Sequence, residues 1–235
     1  MIYKLFDLYW DIETKFKKTS IYLQDYICLS DVSADVKIKI TDEEIKDEQK
    51  KYPGYDEIYH ELICIFRHIS QEILLYDGIF VHSSVVALDN QGYMFLGKSG
   101  AGKSTHAMLW EKYFHGRAEI INGDKPIIRI INNEIYAYGN PWGGKEGKHI
   151  NKRVRVRCGC FVVQSDVNRI RKLNSNECFK LMINQVTIRA NPQLRIKFFE
   201  LLNKFLSSVS FYVLECDISE EAVLTAYDFM RGEIQ

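Results

Sequence analysis

The chain has 235 residues, 46% of them hydrophobic and 13% aromatic, which suits one generous domain, or one with a small appendage, and excludes disorder as the default. Lysine plus arginine and aspartate plus glutamate each total 31, so the formal net charge is zero, which argues against broad electrostatic capture of nucleic acid or an anionic membrane. No apolar run approaches the roughly 20 residues that a membrane-spanning helix needs.

Residues 1–54 read as a small strand-rich part. Ile21-Tyr22-Leu23 and Asp35-Val36-Lys37-Ile38-Lys39-Ile40 are predicted strands, the second with clean alternation. Residues 41–51 form a charged run, a solvated helix or loop, and Tyr52-Pro53-Gly54 a turn. Residues 55–235 read as a catalytic domain built around a phosphate-binding loop. In its first segment Ile58, Leu62, Ile65, Phe66, Ile69 and Ile73 recur at helical spacing, predicting a core-facing helix over 55–75 that Asp77-Gly78 ends. A strand over 79–88, a turn at Asp89-Asn90-Gln91-Gly92 and a strand over 93–96 then form a hairpin.

The hairpin feeds Gly97-Lys98-Ser99-Gly100-Ala101-Gly102-Lys103-Ser104, which matches G-x-x-x-x-G-K-[ST] at every specified position. Glycines let the backbone curl so that N–H groups point inward at phosphate oxygens. Lys103 is placed to neutralise the β- and γ-phosphates and Ser104 to ligate magnesium. A helix over 104–114 adds its positive end to the same anion site, with Thr105 as its cap and an α-phosphate contact. The pattern predicts a nucleoside triphosphate with Mg2+.

A buried strand over 118–122 leads to Gly123-Asp124-Lys125-Pro126, and a carboxylate at that place is positioned to serve as magnesium ligand or general base. A hairpin over 127–138 turns at Asn132-Asn133. Gly139-Asn140-Pro141-Trp142-Gly143-Gly144-Lys145-Glu146-Gly147 is a glycine-rich loop, in which Trp142 reads as a buried anchor or a stacking surface. A strand over 154–163, helices over 177–188 and 192–206, a strand over 210–216 and a last helix from Ser219-Glu220-Glu221 complete the chain.

With these pieces in order, residues from about 76 onward resemble the catalytic domain of the HPr kinase/phosphorylase family, within the phosphoenolpyruvate-carboxykinase-like group, and most nearly its small HPr-kinase-like members. The features that carry the resemblance are His82 on a strand in Val81-His82-Ser83-Ser84-Val85-Val86, the 97–104 loop after it, and Asp124 in the place of the second residue of the family's Asp-Asp pair. Gly123 replaces the first, and the family's following signature is not recognisable around residues 140–145. The resemblance implies an α/β fold: a twisted mixed sheet with antiparallel hairpins around the loop, and helices outside. It further implies a magnesium-dependent kinase that moves the γ-phosphate of ATP to a hydroxyl of a peptide or protein serine or of a small metabolite. HPr itself and the reverse reaction are not expected.

In that setting Asp124 is the expected base, with a lone ion pair to Lys125 as the bland alternative. His82 is expected to contact phosphate or tune Asp124, against the reading of a satisfied core histidine. Lys145 is a candidate for stabilising transition-state charge and Glu146 for completing the metal shell that Gly123 cannot supply, against a solvated loop. Arg169 falls roughly where the family carries an active-site arginine. Arg153, Arg155 and Arg157 alternate on one strand face, solvated or facing an acidic partner. His106, His115 and His149 have no ligands at metal spacing.

The six cysteines (Cys28, Cys64, Cys158, Cys160, Cys178, Cys216) are scattered and read as reduced, and Cys158-Gly159-Cys160 as strand alternation rather than a metal pair. With Met1-Ile2-Tyr3-Lys4 running straight into mixed sequence, a cytoplasmic protein is expected. Two other functions stay open at this point, a nucleotide hydrolase acting as a switch and a non-catalytic nucleotide-binding module. A homo-oligomer is also left open.

Overall fold

A computed structural model describes residues 1–186 and 192–232. The chain opens with strands β1 (Ile2–Leu5) and β2 (Leu8–Glu13), joined by a two-residue turn in which both Phe6 and Asp7 have left-handed φ. Docking fixes this costly conformation. Phe6 is buried edge-on to Trp10 and Tyr138, Tyr138 Oη donates to Asp7 Oδ2 at 2.7 Å, and Arg153 and Arg129 reach Asp7 and the Phe6 carbonyl.

Helix α1 (Lys17–Tyr22) stands where the strand Ile21-Tyr22-Leu23 was expected. Thr19, Leu23 and Tyr26 are all buried, a helical spacing that a three-residue apolar run conceals. The buried Glu61 carboxylate accepts from the Lys15 and Phe16 amides just before the helix. Strand β3 (Val36–Lys39) follows, parallel to β2, giving a three-stranded sheet in the order β1-β2-β3. The charged run is helix α2 (Asp42–Lys51), begun by a capping box between Thr41 and Glu44. Helix α3 (Glu57–Glu72) then packs its apolar stripe into a core that includes both this sheet and Phe80, Ile127, Tyr138 and Trp142.

The strand expected over 79–88 is broken at Val81-His82 into β4 (Gly78–Phe80) and β5 (Ser83–Leu88). The two halves serve different neighbours, and the break frees His82 from the ladder. Strand β6 (Gln91–Leu96) forms the hairpin with β5, and α4 (Lys103–Tyr113) follows the glycine-rich loop. Next come β7 (Ala118–Asn122), then β8 (Ile127–Ile131) and β9 (Glu134–Tyr138), a hairpin turning at Asn132-Asn133 with left-handed φ at both residues. The twelve-residue β10 (Arg153–Gln164) is the spine, running parallel to β6, pairing β9 antiparallel near its start and β12 (Ser210–Cys216) parallel toward its end.

Between β10 and β12 lie β11 (Arg169–Lys172), an antiparallel neighbour of β12 that the sequence reading passed over, and helices α5 (Ser175–Met182) and α6 (Pro192–Ser208). Helix α5 ends at Met182 rather than running on, and the expected helix over 177–188 extends past the described residues at 187. Helix α7 (Glu220–Gly232) closes the chain, the Ser219 hydroxyl accepting from the Ala222 amide at its start. The main sheet is nine-stranded and mixed, its principal path β4-β8-β9-β10-β6-β5-β7, with helices on its faces.

None of the six cysteines is in a disulfide; Cys158 and Cys160 are buried on β10, and no cluster of three or more His, Cys, Asp or Glu suited to a metal occurs among the described residues. Arg153, Arg155 and Arg157 are engaged within the chain, with Asp7, with Glu134 and with the Met230 and Arg231 carbonyls. No helix among the described residues is long and apolar enough to cross a membrane.

Close packing at the spine is testable. A Cβ on Gly159 of β10 would lie 2.4 Å and 2.6 Å from two ring carbons of Phe211. Gly159→Ala is expected to lower the free energy of unfolding by about 1–3 kcal/mol in urea denaturation, the cost of overpacking a filled core.

Candidate active site

The glycine-rich loop leaves the buried end of β6 and turns sharply against β10. Gly97, Gly100 and Gly102 have φ of 139°, 80° and 98°, the region that side chains disfavour, and a Cβ on Gly97 would lie 3.1 Å from both Ala101 Cβ and the Val162 carbonyl. Gly102 itself is the N-cap of α4, with no side chain capping; Thr105 sits inside the first turn rather than at the cap. Lys103 is buried, and its Nζ donates to the Gly97 carbonyl at 2.9 Å and the Lys98 carbonyl at 3.3 Å. Burial pulls its pKa down, partly opposed by the negative charge of Asp124. Gln164, at the end of β10, braces the loop tip by donating to the Gly100 carbonyl at 2.9 Å.

Across from the loop stands the turn that follows β7. Asp124 carries two cationic or potentially cationic neighbours, His82 Nε2 at 2.8 Å from Oδ1 and Lys125 Nζ at 3.2 Å from Oδ2. Burial alone would raise the Asp124 pKa; the His82 hydrogen bond and the Lys125 charge outweigh it and hold the carboxyl below its ordinary value. Asp124 is therefore a carboxylate at neutral pH.

Two fully buried asparagines set this turn. Asn122 Oδ1 accepts from the Asp124 amide at 3.0 Å and the Lys125 amide at 2.6 Å, while its Nδ2 donates to the Asn140 carbonyl and Oδ1 at 3.1 and 3.2 Å. Asn140 in turn donates to the Lys125 carbonyl at 2.6 Å and accepts from the Trp142 amide at 3.0 Å. The 139–147 loop is thereby fastened to the Asp124 turn. Trp142 is the buried anchor of that loop, its ring packed near Phe66.

Gly123 now has a reason. A Cβ there would lie 2.8 Å from the Gly143 carbonyl, and its amide donates to the Lys148 carbonyl at 2.9 Å. A Cβ on Gly144 would come within 2.7 Å of Asp124 Cβ. The loop lies flat on the turn because both positions lack side chains.

These walls enclose a cleft of about 690 Å³ lined by Lys103, Ser104, Thr105, His82, Asp124, Lys145 and Glu146 among others. Lys145 and Glu146 are exposed on its lip. Gly97, Lys98 and Ala101 of the loop do not line it, and of the predicted catalytic and metal residues Arg169 is the exception. It begins β11, pairs with Glu215 and lies outside the cleft lining, because β11 hangs on β12, not on the strands that carry the site.

Sequence reading missed several contributors. Tyr55 and Tyr59 line the rim with stacked rings, 4.1 Å between centroids and 19° between planes. Their spacing of four residues is a visible signal, absorbed at first into a core helix. Gln185 is buried behind the loop, its backbone carbonyl accepting from the His82 amide at 2.6 Å. With its side-chain nitrogen turned toward the two carbonyls, it donates to Gly97 at 2.9 Å and His82 at 3.3 Å. Nothing in the local pattern marked it, since it acts across 88 residues of sequence.

No family model and no curated protein matches the chain. Among solved structures it is similar to the Hpr(Ser) kinase/phosphatase from Coxiella burnetii, at 10% identity and a TM-score of 0.37, over 65% of this chain and 97% of that one. A likeness of that degree leaves function to the side chains of the cleft.

His106, beside the loop, supplies a test of the local packing. It is buried, accepts from Trp110 Nε1 at 3.1 Å, and burial pushes its pKa down to about 4. An unfolded imidazole takes up its proton near pH 6.5. Between those values the unfolded chain holds the extra proton, so this residue's contribution to stability falls as pH drops from about 6.5 toward 4, flattening below. Denaturant unfolding across that range is expected to show the slope, and His106→Gln to reduce it.

Proposed function

We propose that this protein is an ATP-dependent phosphotransferase that moves the γ-phosphoryl group to a hydroxyl, of a peptide or protein serine or of a small metabolite. The observation that carries this reading is that the Asp124 carboxylate, held by His82 and Lys125, shares one cleft with Lys103 and Ser104 of the glycine-rich loop.

The glycine-rich loop, Lys103 and the start of α4 suit a triphosphate. As the acceptor oxygen bonds to the γ-phosphorus, its proton passes to Asp124 and the bond from that phosphorus to the β–γ bridging oxygen breaks, leaving the nucleoside diphosphate as product. Lys103 offsets the negative charge on the leaving side, and Lys145 on the lip is available to do so on the transferred group. His82 and Lys125 fix the carboxylate and keep it ionised.

Magnesium typically takes one or two carboxylates plus phosphate oxygens and waters, so a three-carboxylate cage is not needed. The Ser104 hydroxyl with Asp124, and Glu146 from the lip, fit that donor set and would hold the ion, which would neutralise phosphate charge. Six cysteines outside any disulfide and a nucleotide donor favour a cytoplasmic place of work. In the same proposal residues 55–235 form the catalytic domain and residues 1–54 an appended part.

Asp124→Asn is expected to lower phosphoryl transfer by roughly 100- to 10,000-fold, the worth of a general base, with affinity for magnesium-free ATP little changed. Labelled γ-phosphate is followed onto a panel of hydroxyl acceptors and into free phosphate, alongside calorimetric ATP binding. Wild-type transfer by the variant would refute the role of Asp124. Release of free phosphate by the unsubstituted protein, with no acceptor labelled, would instead make it a hydrolase.

A further inference from the structure

The lip that carries Lys145 and Glu146 is exposed over residues 144–148, and Gly143, Gly144 and Gly147 give its backbone little preference for any one position. It is held by its two legs. The entry leg ends in Pro141, whose carbonyl accepts from Tyr22 Oη at 2.7 Å. The exit leg runs beside the end of β7, where the Gly123 amide donates to the Lys148 carbonyl at 2.9 Å, the Ile150 amide donates to the Ile121 carbonyl at 3.1 Å, and His149 stands opposite Asn122. On this leg His149 Nδ1 lies 2.9 Å from Tyr26 Oη, with the two ring centroids 5.8 Å apart. Tyr22 is the last residue of α1 and Tyr26 the last of a 3-10 turn over Gln24–Tyr26. One short segment of the N-terminal part therefore grips both legs.

Folding accounts for one grip and not for the other. Tyr26 is 1% exposed, and a buried hydroxyl needs a partner. Tyr22 is 41% exposed, so water would serve its hydroxyl, yet it donates across 119 residues of sequence. The Pro141 carbonyl does not depend on it either, since it also accepts from the Gly143 amide at 2.9 Å. Burial and then the negative charge of Asp124 raise the Tyr22 phenol above its ordinary pKa, so the hydroxyl keeps its proton and stands within electrostatic reach of that carboxylate.

We infer that Tyr22 and Tyr26 are positioning residues of the phosphotransfer site, so that residues 1–54, appended in sequence, supply the clasp that sets the lip. The inference rests on the phosphotransfer reading for the tasks of Lys145 and Glu146. An ammonium group on a free glycine-rich span spends little time where charge develops, and a misplacement of about 1 Å can cost on the order of 100-fold in rate. The clasp orders the lip as the chain folds, before any ligand arrives.

Hydrogen exchange read by mass spectrometry on the full chain reports the clasp directly. Transfer of labelled γ-phosphate from MgATP, to the panel of hydroxyl acceptors and to water, reports its use. Tyr22→Phe keeps the ring and removes only the hydroxyl. It is expected to speed exchange of the 143–148 amides severalfold, leave those of 97–104 unchanged, and lower kcat about fivefold, the worth of one hydrogen bond, with affinity for magnesium-free ATP unchanged. Tyr26→Phe should speed exchange over 148–150. In a Lys145→Met/Glu146→Gln background Tyr22→Phe is expected to change transfer less than about twofold, because residues that act through one another are not additive. Unchanged exchange over 143–148, faster exchange with unaltered transfer, or the full fivefold loss in that background overturns the clasp and leaves the phosphotransfer reading standing. Absence of transfer by the unsubstituted protein to any acceptor or to water overturns the phosphotransfer reading, and the catalytic use of the clasp with it.

Discussion

The site depends on one amide side chain. Asn122 lies at the end of a buried strand with no exposure to water, so each of its polar atoms must be paired inside the protein. Its oxygen takes the two amides that lead into Asp124 and Lys125, and its nitrogen takes Asn140. That single set of bonds fixes where the carboxylate stands and ties the glycine-rich 139–147 loop to it. Replacing Asn122 with an apolar residue would strand two backbone donors in the interior, at about 1–3 kcal/mol each. The carboxylate's orientation is thus bound up with the stability of the fold.

Much of this was legible in the sequence where physics acts locally. The sharp turn at 97–104 follows from glycines at the positions that adopt left-handed φ. The hairpins at Asn132-Asn133 and after Leu88 follow from residues that tolerate left-handed φ. Helix α3 follows from its stripe, and Asp124 from its place at the end of a strand. His82 was legible only through the order of motifs.

What was hidden acts over distance or against local preference. The run Ile21-Tyr22-Leu23 is a helix because Glu61, some forty residues on, accepts the amides just before it. The 79–88 run breaks at His82 because β4 must pair β8 while β5 pairs β6 and β7. Such a division of partners leaves no trace in alternation. Gln185 and the Tyr55–Tyr59 pair join the site only through folding, and Arg169 fails to join it because its strand is anchored elsewhere.

Close packing also accounts for the glycines at 123 and 144. An acidic residue at 123 would collide with the Gly143 carbonyl, and any side chain at 144 with Asp124 itself. The turn carries one carboxylate, and the loop is pressed directly onto it. That loop carries Lys145 and Glu146 to the lip of the cleft, which the stacked tyrosines also line. A displacement of residues 143–148 cannot occur without moving the backbone against Asp124 and Gly123. In the proposed reaction the base and the lip of the cleft are therefore mechanically linked.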